Sequence, residues 1–591
     1  MRDTVPILLI GILLASVLLF YLPSDGIWAG DQGAKYVQVE SLIRQSFRET
    51  TLLYPGADLD PSGTFSPLPA LYTVPARDGA VSIYSYPYAF LCAGFVKLAG
   101  LTGLLLPSVV ATLFLLFFCV RVGRRLGLRT ASSALPWVLA GGTPILFYAL
   151  SFWEHAPAAA VAAGALALGV EAMRRESVPL AGAAGLVAAL SFLVRPEGLF
   201  VGAAASVAMA AAPRRRARLV AAALAGWALG LLPAAGLNMA LYGQPLGGGA
   251  ALNFGGLSAP LVAGKLLAAR GQIAASIAFD RNLYWKYFAA LVVLAIAVRL
   301  TTGRWRTAAL LALALATLRL WFMEGGMFLK TGLVAACPLV LLVVTARHRC
   351  SPAREILGYL QAFCGVYFLA VVLTAPNDGG AQWGPRYLLP MLAPAAVVAW
   401  HQAEHLFLSA RGAQRRAVGA ALALLLLLSG ALQFHSLRVL EHSLSRGKTI
   451  HAAVRAAGDD VVLADFWWVS QLLAPLYFKR RIFMLHQPGK LDAFVAELAA
   501  HGQRGFVFVV SRSATPDLDR LRAAGAACRA AAEFAGPLFV LDCRVTTALP
   551  APAEEAADPL QQPPAARGLD GPEVGAGRGE LAAQERDVGI R

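Results

Sequence analysis

From Val5 to about Gly430 the chain alternates long apolar runs with short polar connections. A helix needs about 20 apolar residues to cross a bilayer core. Roughly thirteen stretches meet that requirement, centred near Leu13, Leu113, Leu139, Ala165, Leu186, Val207, Trp227, Val293, Leu313, Leu339, Tyr367, Val397 and Leu425. Met1 to Ser24 has the outline of a secretory signal, but Arg2 is offset by Asp3 and further apolar runs follow. It is read as the first retained span.

The connections sort by charge. Arg121, Arg124, Arg125 and Arg129 fall in one loop, Arg174 and Arg175 in another, and further Arg-rich loops occur near 214–218, 304–306, 347–354 and 411–416. The positive-inside bias places these in the cytoplasm and puts the N-terminus inside and the C-terminus outside. The intervening segments then face outward. They include 23–87, Trp153 to Pro157, Arg195 to Gly198, Glu324 to Lys330, Pro376 to Tyr387, and everything after about His435.

Past His435 the pattern changes. Short β-rich runs at Val461 to Asp465, Gly505 to Val510 and Pro537 to Asp542 are separated by helical periodicity at Lys490 to His501 and Asp517 to Ala524,. The expectation is an all-α polytopic membrane domain over 1–434, whose first outer loop (23–87) carries two amphipathic, interfacial helices. A small extracytoplasmic α/β domain would occupy 435–548, followed by a disordered Pro/Ala/Gly/Glu-rich tail over 549–591.

Composition agrees with that division. The chain has 591 residues, 58% of them hydrophobic and 15% charged, and its mean hydropathy is +0.60. A water-soluble globule of this size needs more polar surface. The formal charge of +16 belongs to topology and lipid headgroups; no basic groove with interleaved aromatics marks a nucleic-acid partner. Of the seven cysteines, Cys528 and Cys543 flank an apparent hairpin turning near Gly536 and Pro537. They are read either as a disulfide in an oxidising compartment or as two buried thiols.

Candidate chemistry collects in the outward segments. Asp31, with Gln32, Lys35 and Tyr36, follows the first span. A carboxylate there can act as a general base or a metal ligand, or simply cap the helix that follows. Trp153-Glu154-His155 suits a metal or a sugar hydroxyl, or else a belt aromatic with two solvated neighbours. Arg195-Pro-Glu197 puts an arginine on the face the charge rule reserves for few cations, where its fork suits a phosphate. Gly384-Pro385 forces a turn that presents Arg386 and Tyr387 at the mouth of a span, as ligands or as interface anchors. Lys330 adds another outward cation.

Asp465-Phe-Trp-Trp468 offers an aromatic cluster for a sugar ring, or core packing. His401-Gln-Ala-Glu-His405 has the spacing of inverted zinc peptidases, but lies on the Arg-rich side with nothing nearby to complete a zinc site. No phosphate-cradling P-loop or dinucleotide fingerprint occurs, which excludes ATP-driven transport by this chain alone.

Together, the first-loop acid, the interfacial helices, Arg195-Pro-Glu197, Asn238 with Tyr242-Gly-Gln-Pro-Leu246, and Trp383-Gly-Pro-Arg-Tyr-Leu-Leu-Pro390 resemble the GT-C membrane glycosyltransferases. Within these the chain looks most like bacterial relatives of the protein O-mannosyltransferase, aminoarabinose-transferase and lipopolysaccharide-core galacturonosyltransferase group. The resemblance covers roughly Met1 to Gly430. It implies transfer of a sugar, with inversion, from a polyprenyl-phosphate donor to a protein, glycolipid or polysaccharide hydroxyl, on the outer face of a bacterial cytoplasmic membrane. Asp31 would be the base and Arg386, Arg195 and Lys330 the phosphate ligands. Glu154, His155, Tyr36 and Tyr387 would meet acceptor, sugar or a divalent cation (Mg, Mn or Zn). Many relatives carry two adjacent acids in the first loop where this chain has Asp31-Gln32, which leaves metal dependence and acceptor open. The competing expectation is a transporter or flippase for a lipid-linked saccharide, which would need mid-span charges and inverted repeats; neither is evident.

Overall fold

The computed structural model describes residues 4–69, 71–76, 79–212, 216–254, 264, 270–279, 285–323, 331–346, 351–380, 382–511, 518–533 and 538–546. Lys330, the turn at Gly536 and Pro537, and the 549–591 tail lie outside the described residues. The chain divides into two compact units, one comprising 1–52 and 70–446, the other 53–69 and 447–591.

The first unit is built of apolar helices. Its opening helices are α1 (Thr4–Phe20), α2 (Gly30–Arg44), α3 (Tyr86–Ala99), α4 (Leu106–Arg125), α5 (Leu135–Gly142), α6 (Ile145–Ala149), α7 (His155–Arg175), α8 (Val178–Val194), α9 (Leu199–Ala210) and α10 (Ala217–Tyr242). Among the described residues seven helices are long and apolar enough to cross a membrane: Tyr86–Leu104, Leu106–Arg125, His155–Arg175, Ala217–Tyr242, Gly303–Phe322, Ala353–Thr374 and Gly412–Ala456. Four shorter apolar helices accompany them, among them Thr4–Phe20 and Val178–Val194. This is a multi-pass membrane protein. The roughly thirteen spans expected from hydropathy resolve into fewer full-length helices, because several apolar runs break into short segments: 135–149 forms α5 and α6, and 333–345 forms two single-turn helices joined by a 3-10 turn.

Small residues set the closest helix approaches. A Cβ on Gly185 of α8 would lie 1.9 Å from the Ala223 carbonyl oxygen of α10, and one on Gly226 would lie 2.1 Å from the Gly182 carbonyl oxygen. Backbones in direct contact gain dispersion energy that bulkier side chains would prevent, which is how helices associate without a hydrophobic drive in lipid. Local caps fix other starts. Ser85 accepts from Tyr88 N at 3.2 Å at the head of α3, and its hydroxyl donates to the Leu193 carbonyl at 2.8 Å at the end of α8. The loop between α2 and α3 contains a short antiparallel pair, β1 (Thr73–Ala76) and β2 (Gly79–Ser82), with Thr73 opposite Ser82.

The second unit carries a five-stranded sheet of β3 (Val461–Ala464), β4 (Arg481–Met484), β5 (Gly505–Ser511), β6 (Ala526–Glu533) and β7 (Leu538–Val545), in the order β4-β3-β5-β7-β6. β3 runs parallel to β4 and β5, whereas β7 is antiparallel to both β5 and β6. Alternate residues Val461, Leu463, Phe506, Phe508 and Leu541 join Phe494 and Leu498 of the helix Leu491–Ala500 in one core, which also takes in Leu59 and Phe65. Those last two belong to the 53–69 segment of the first loop. Cys528 stands opposite Cys543 in the β6–β7 ladder, and the two are joined by a disulfide.

Candidate active site

Four separate stretches of the first unit converge on one cluster of charge. Asp31 and Lys35 lie one turn apart on α2 and so share a face,. Glu154 precedes α7, Arg195 closes α8, and Arg386 opens the 3-10 turn Arg386–Leu388 that leads into the helix Leu389–Ser409. The approach to Arg386 depends on Gly384, whose φ of +66° favours glycine and where a Cβ would lie 2.7 Å from Pro144 Cγ,. Pro385 then starts the turn, and Gln382 Oε1 accepts the Arg386 backbone N–H at 3.2 Å.

Ion pairs tie these groups into two sets. Arg386 Nη1 donates to Asp31 Oδ2 at 2.6 Å. Glu154 accepts from Lys35 Nζ at 2.5 Å on one oxygen and from Arg195 Nη1 at 2.7 Å on the other. Arg195 is held in turn by Glu197, through Nε at 2.8 Å and Nη2 at 2.9 Å. The three cations and three carboxylates balance. Aromatic faces frame the set: Arg386 lies 5.6 Å from the Trp153 ring centre and 5.4 Å from that of Tyr387, and Lys35 Nζ is 4.5 Å from that of Tyr84.

Burial and pairing oppose each other here. Burial alone would raise the Asp31 carboxyl, but Arg386, and after it Lys35, hold it below the usual carboxylate value,. Glu154 is likewise held low against burial, by Lys35 and Arg195. Burial brings the Lys35 ammonium below its ordinary value, although Glu154 and Asp31 oppose the shift. Both carboxylates are therefore ionised at neutral pH.

Several sequence expectations change. Asp31 is not the helix cap; Ala29 holds that position, Asp31 sits within the first turn, and Gln32 Oε1 accepts the Trp28 N–H at 2.9 Å. Trp153, Glu154 and His155 are not a solvated belt but are 0%, 3% and 1% exposed. Both oxygens of Glu154 are committed to cations rather than open to a metal. The His155 ring packs against Tyr148, at 5.3 Å between ring centres, and Trp153, at 5.6 Å. Trp383 is fully buried, and Tyr387 donates to Asn377 Oδ1 at 2.8 Å, so neither is an interface anchor. Tyr36 does not join the cluster: it lies about 140° around α2 from Asp31, and its charged neighbours are Glu40 and Arg44. The zinc-peptidase spacing also dissolves, because Glu404 accepts Arg129 N at 2.8 Å and both Thr130 N and its hydroxyl, clamping a loop.

Lys35 and Tyr84 have no role legible in the sequence, and Glu197, which there reads as complementing a helix N-terminus, instead holds Arg195,. Lys35 and Glu154 are 119 positions apart, so no local spacing could couple them. The run of tyrosines near Tyr84 was the one available signal. No three potential metal-ligating side chains cluster among the described residues, and the two inner carboxylates already face Arg or Lys.

Four polar atoms beside this cluster have no hydrogen-bond partner although they are buried: Trp153 Nε1, both ring nitrogens of His155, and Arg386 Nε. Native proteins leave few such groups unsatisfied, and a ligand is one of the things that can satisfy them.

No family model and no curated protein match the chain. Among solved structures it is similar to ArnT from Cupriavidus metallidurans bound to undecaprenyl phosphate, at 14% identity and a TM-score of 0.47, over 91% of this chain and 97% of that one. It is also similar to the apo oligosaccharyltransferase of Archaeoglobus fulgidus, at 12% identity and a TM-score of 0.48, over 88% of this chain and 71% of that one.

Proposed function

We propose that this chain is a GT-C-type glycosyltransferase. It moves a sugar from a polyprenyl-phosphate donor to a hydroxyl of a protein, glycolipid or polysaccharide acceptor, at the outer face of a bacterial cytoplasmic membrane. The observation that carries the reading is the cluster itself. Among apolar helices, three cations and three carboxylates converge with buried, unpartnered N–H groups of Arg386 and Trp153 beside them. Such an arrangement suits an anion bound next to a base.

In this reading Asp31 takes the proton of the acceptor hydroxyl as that oxygen bonds to the anomeric carbon from the face opposite the phosphate. The bond from that carbon to the phosphate oxygen breaks, its electron pair stays on the phosphate, and the sugar inverts. The donor phosphate carries one negative charge as a diester and gains a second as the monoester leaves. Arg386 and Arg195 meet that growing charge, the electrostatic term that contributes most to such steps. His155 and Tyr387 line the sugar or acceptor side. Glu154 positions Lys35 and Arg195. Lys330, outward by the charge rule, would add to phosphate binding.

The test is purified protein given a panel of polyprenyl-phosphate sugars, scoring release of polyprenyl phosphate with a hydroxyl acceptor. Asp31→Asn should abolish release while the protein stays folded, and Arg386→Ala should depress it at least about 100-fold. No release by wild-type protein with any donor would overturn the reading, and full turnover by Asp31→Asn would remove Asp31 as the base.

A further inference from the structure

Asp31 and Arg386 each serve their proposed roles less well while bound to each other. A carboxylate oxygen that accepts from a guanidinium at 2.6 Å has its lone pair engaged, and a guanidinium that faces a carboxylate offers little net charge to a phosphate. The resting pair weakens both the base and the anion site. We infer that the donor phosphate displaces Asp31 from Arg386, so that filling the anion site is what frees the base. This rests on the transferase reading above.

The geometry singles out this pair from its neighbours. Arg195 is shared between Glu154 and Glu197 by three contacts, and Lys35 is fully buried against Glu154. Arg386 meets one carboxylate among the described residues, through one nitrogen, while its Nε–H has no partner. Its guanidinium carbon lies 5.6 Å from the Trp153 ring centre and 5.4 Å from that of Tyr387, aromatic contacts that attract a guanidinium without fixing which anion it faces. Phosphate and carboxylate are both forked acceptors, so exchanging one for the other keeps the paired geometry. The exchange also follows from charge balance. The cluster is neutral at rest, and an added anion leaves it negative unless one carboxylate gives up its charge.

The groups facing Asp31 are Arg386, Lys35, Arg195 and Tyr84, with His155 near the same cations. Lys35 and Arg195 stay with Glu154, so the displaced Asp31, its side chain 24% exposed at rest, stands beside new negative charge. It then holds a proton more readily. In the reaction that proton comes from the acceptor hydroxyl. The complex with product phosphate therefore holds one proton more than resting protein and free product. Release of the phosphate returns Asp31 to Arg386 and expels the proton to water.

Farnesyl phosphate, a short polyprenyl phosphate, serves as the probe. Its binding to full-length protein in detergent is measured by calorimetry at pH 8 in two buffers of different ionisation enthalpy. Wild-type protein is expected to take up close to one proton per phosphate bound. Asp31→Asn is expected to bind about tenfold tighter or more and to take up none, because Arg386 has no carboxylate to leave. Arg386→Ala should lose binding. Equal or weaker binding by a folded Asp31→Asn would overturn the exchange, since a partner that merely orients Arg386 helps binding. Should that variant not fold, negligible proton uptake by wild type overturns it alone. Failure of wild-type protein to bind the probe at all would instead refute the donor reading.

Discussion

Glu154→Gln offers a direct measure of what holds the charge cluster together. The carboxylate is 3% exposed, and it faces Lys35 at 2.5 Å and Arg195 at 2.7 Å. Removing one partner of a buried ion pair costs about 3–5 kcal/mol, because the other charge is left without compensation in a medium that solvates it poorly. The cost falls mainly on Lys35. Arg195 keeps its two contacts with Glu197, whereas Lys35 is left facing a neutral amide. Lys35→Met should cost less, about 1–3 kcal/mol, since Glu154 retains Arg195. The double variant should then be more stable than the sum of the two losses, by about 1–3 kcal/mol of coupling. Equilibrium unfolding of the four proteins in mixed detergent micelles gives the cycle. A Glu154→Gln stability within about 1 kcal/mol of wild type, or two single losses that add to within about 0.5 kcal/mol, would refute this coupling.

Other outcomes follow from the same physics. Asp31 and Glu154 both titrate below the usual carboxylate range in the folded chain. Their stabilisation is complete at neutral pH and disappears as pH falls below about 4; thermal melts of Glu154→Gln should accordingly show weaker acid sensitivity than wild type between about pH 5 and 3. Asp465 behaves in the opposite sense. Burial pushes its carboxyl up to about 7, against the bond it accepts from Ser511 N, so it costs stability increasingly as pH rises from about 4 to 7. Asp465→Asn should slow hydrogen exchange across β3 and β5 at pH 8 and have little effect at pH 4; equal effects at both would refute the assignment. Reducing the Cys528–Cys543 bridge, which closes a 15-residue separation, should cost the second unit about 3 kcal/mol, visible as faster proteolysis between 526 and 545. Gly185→Val should lower the melting temperature through an overpacking cost of about 1–3 kcal/mol or more, because the added methyls meet the α10 backbone,.

Periodicity and composition by themselves determined the membrane class, the change of character after His435, and the strands Val461–Ala464, Gly505–Ser511 and Leu538–Val545 to within a few residues. These are local properties. A 20-residue apolar run or an alternating β-branched stretch states its own solvent and period wherever it later packs. β4, only four residues long, and the alanine-rich β6 carry no such signal. They are strands because neighbours supply their ladders. The 53–69 segment carries no such signal either: the contacts of Leu59 and Phe65 that order it come from residues more than 390 positions away.

The candidate site divides along the same line. Asp31, Glu154, Arg195 and Arg386 stand out in the sequence because charge at the end of an apolar run is expensive to bury and rarely idle. Which acid meets which cation was decided only in three dimensions, where helix rotation brings Lys35 with Asp31 and sends Tyr36 elsewhere. Tertiary packing also buried Glu154 and His155, which a linear reading leaves in water. It set Arg386 against Asp31 rather than leaving each free. The cause is that a low-dielectric interior forces every buried charge to find its opposite, and the nearest opposite in space is seldom the nearest in sequence.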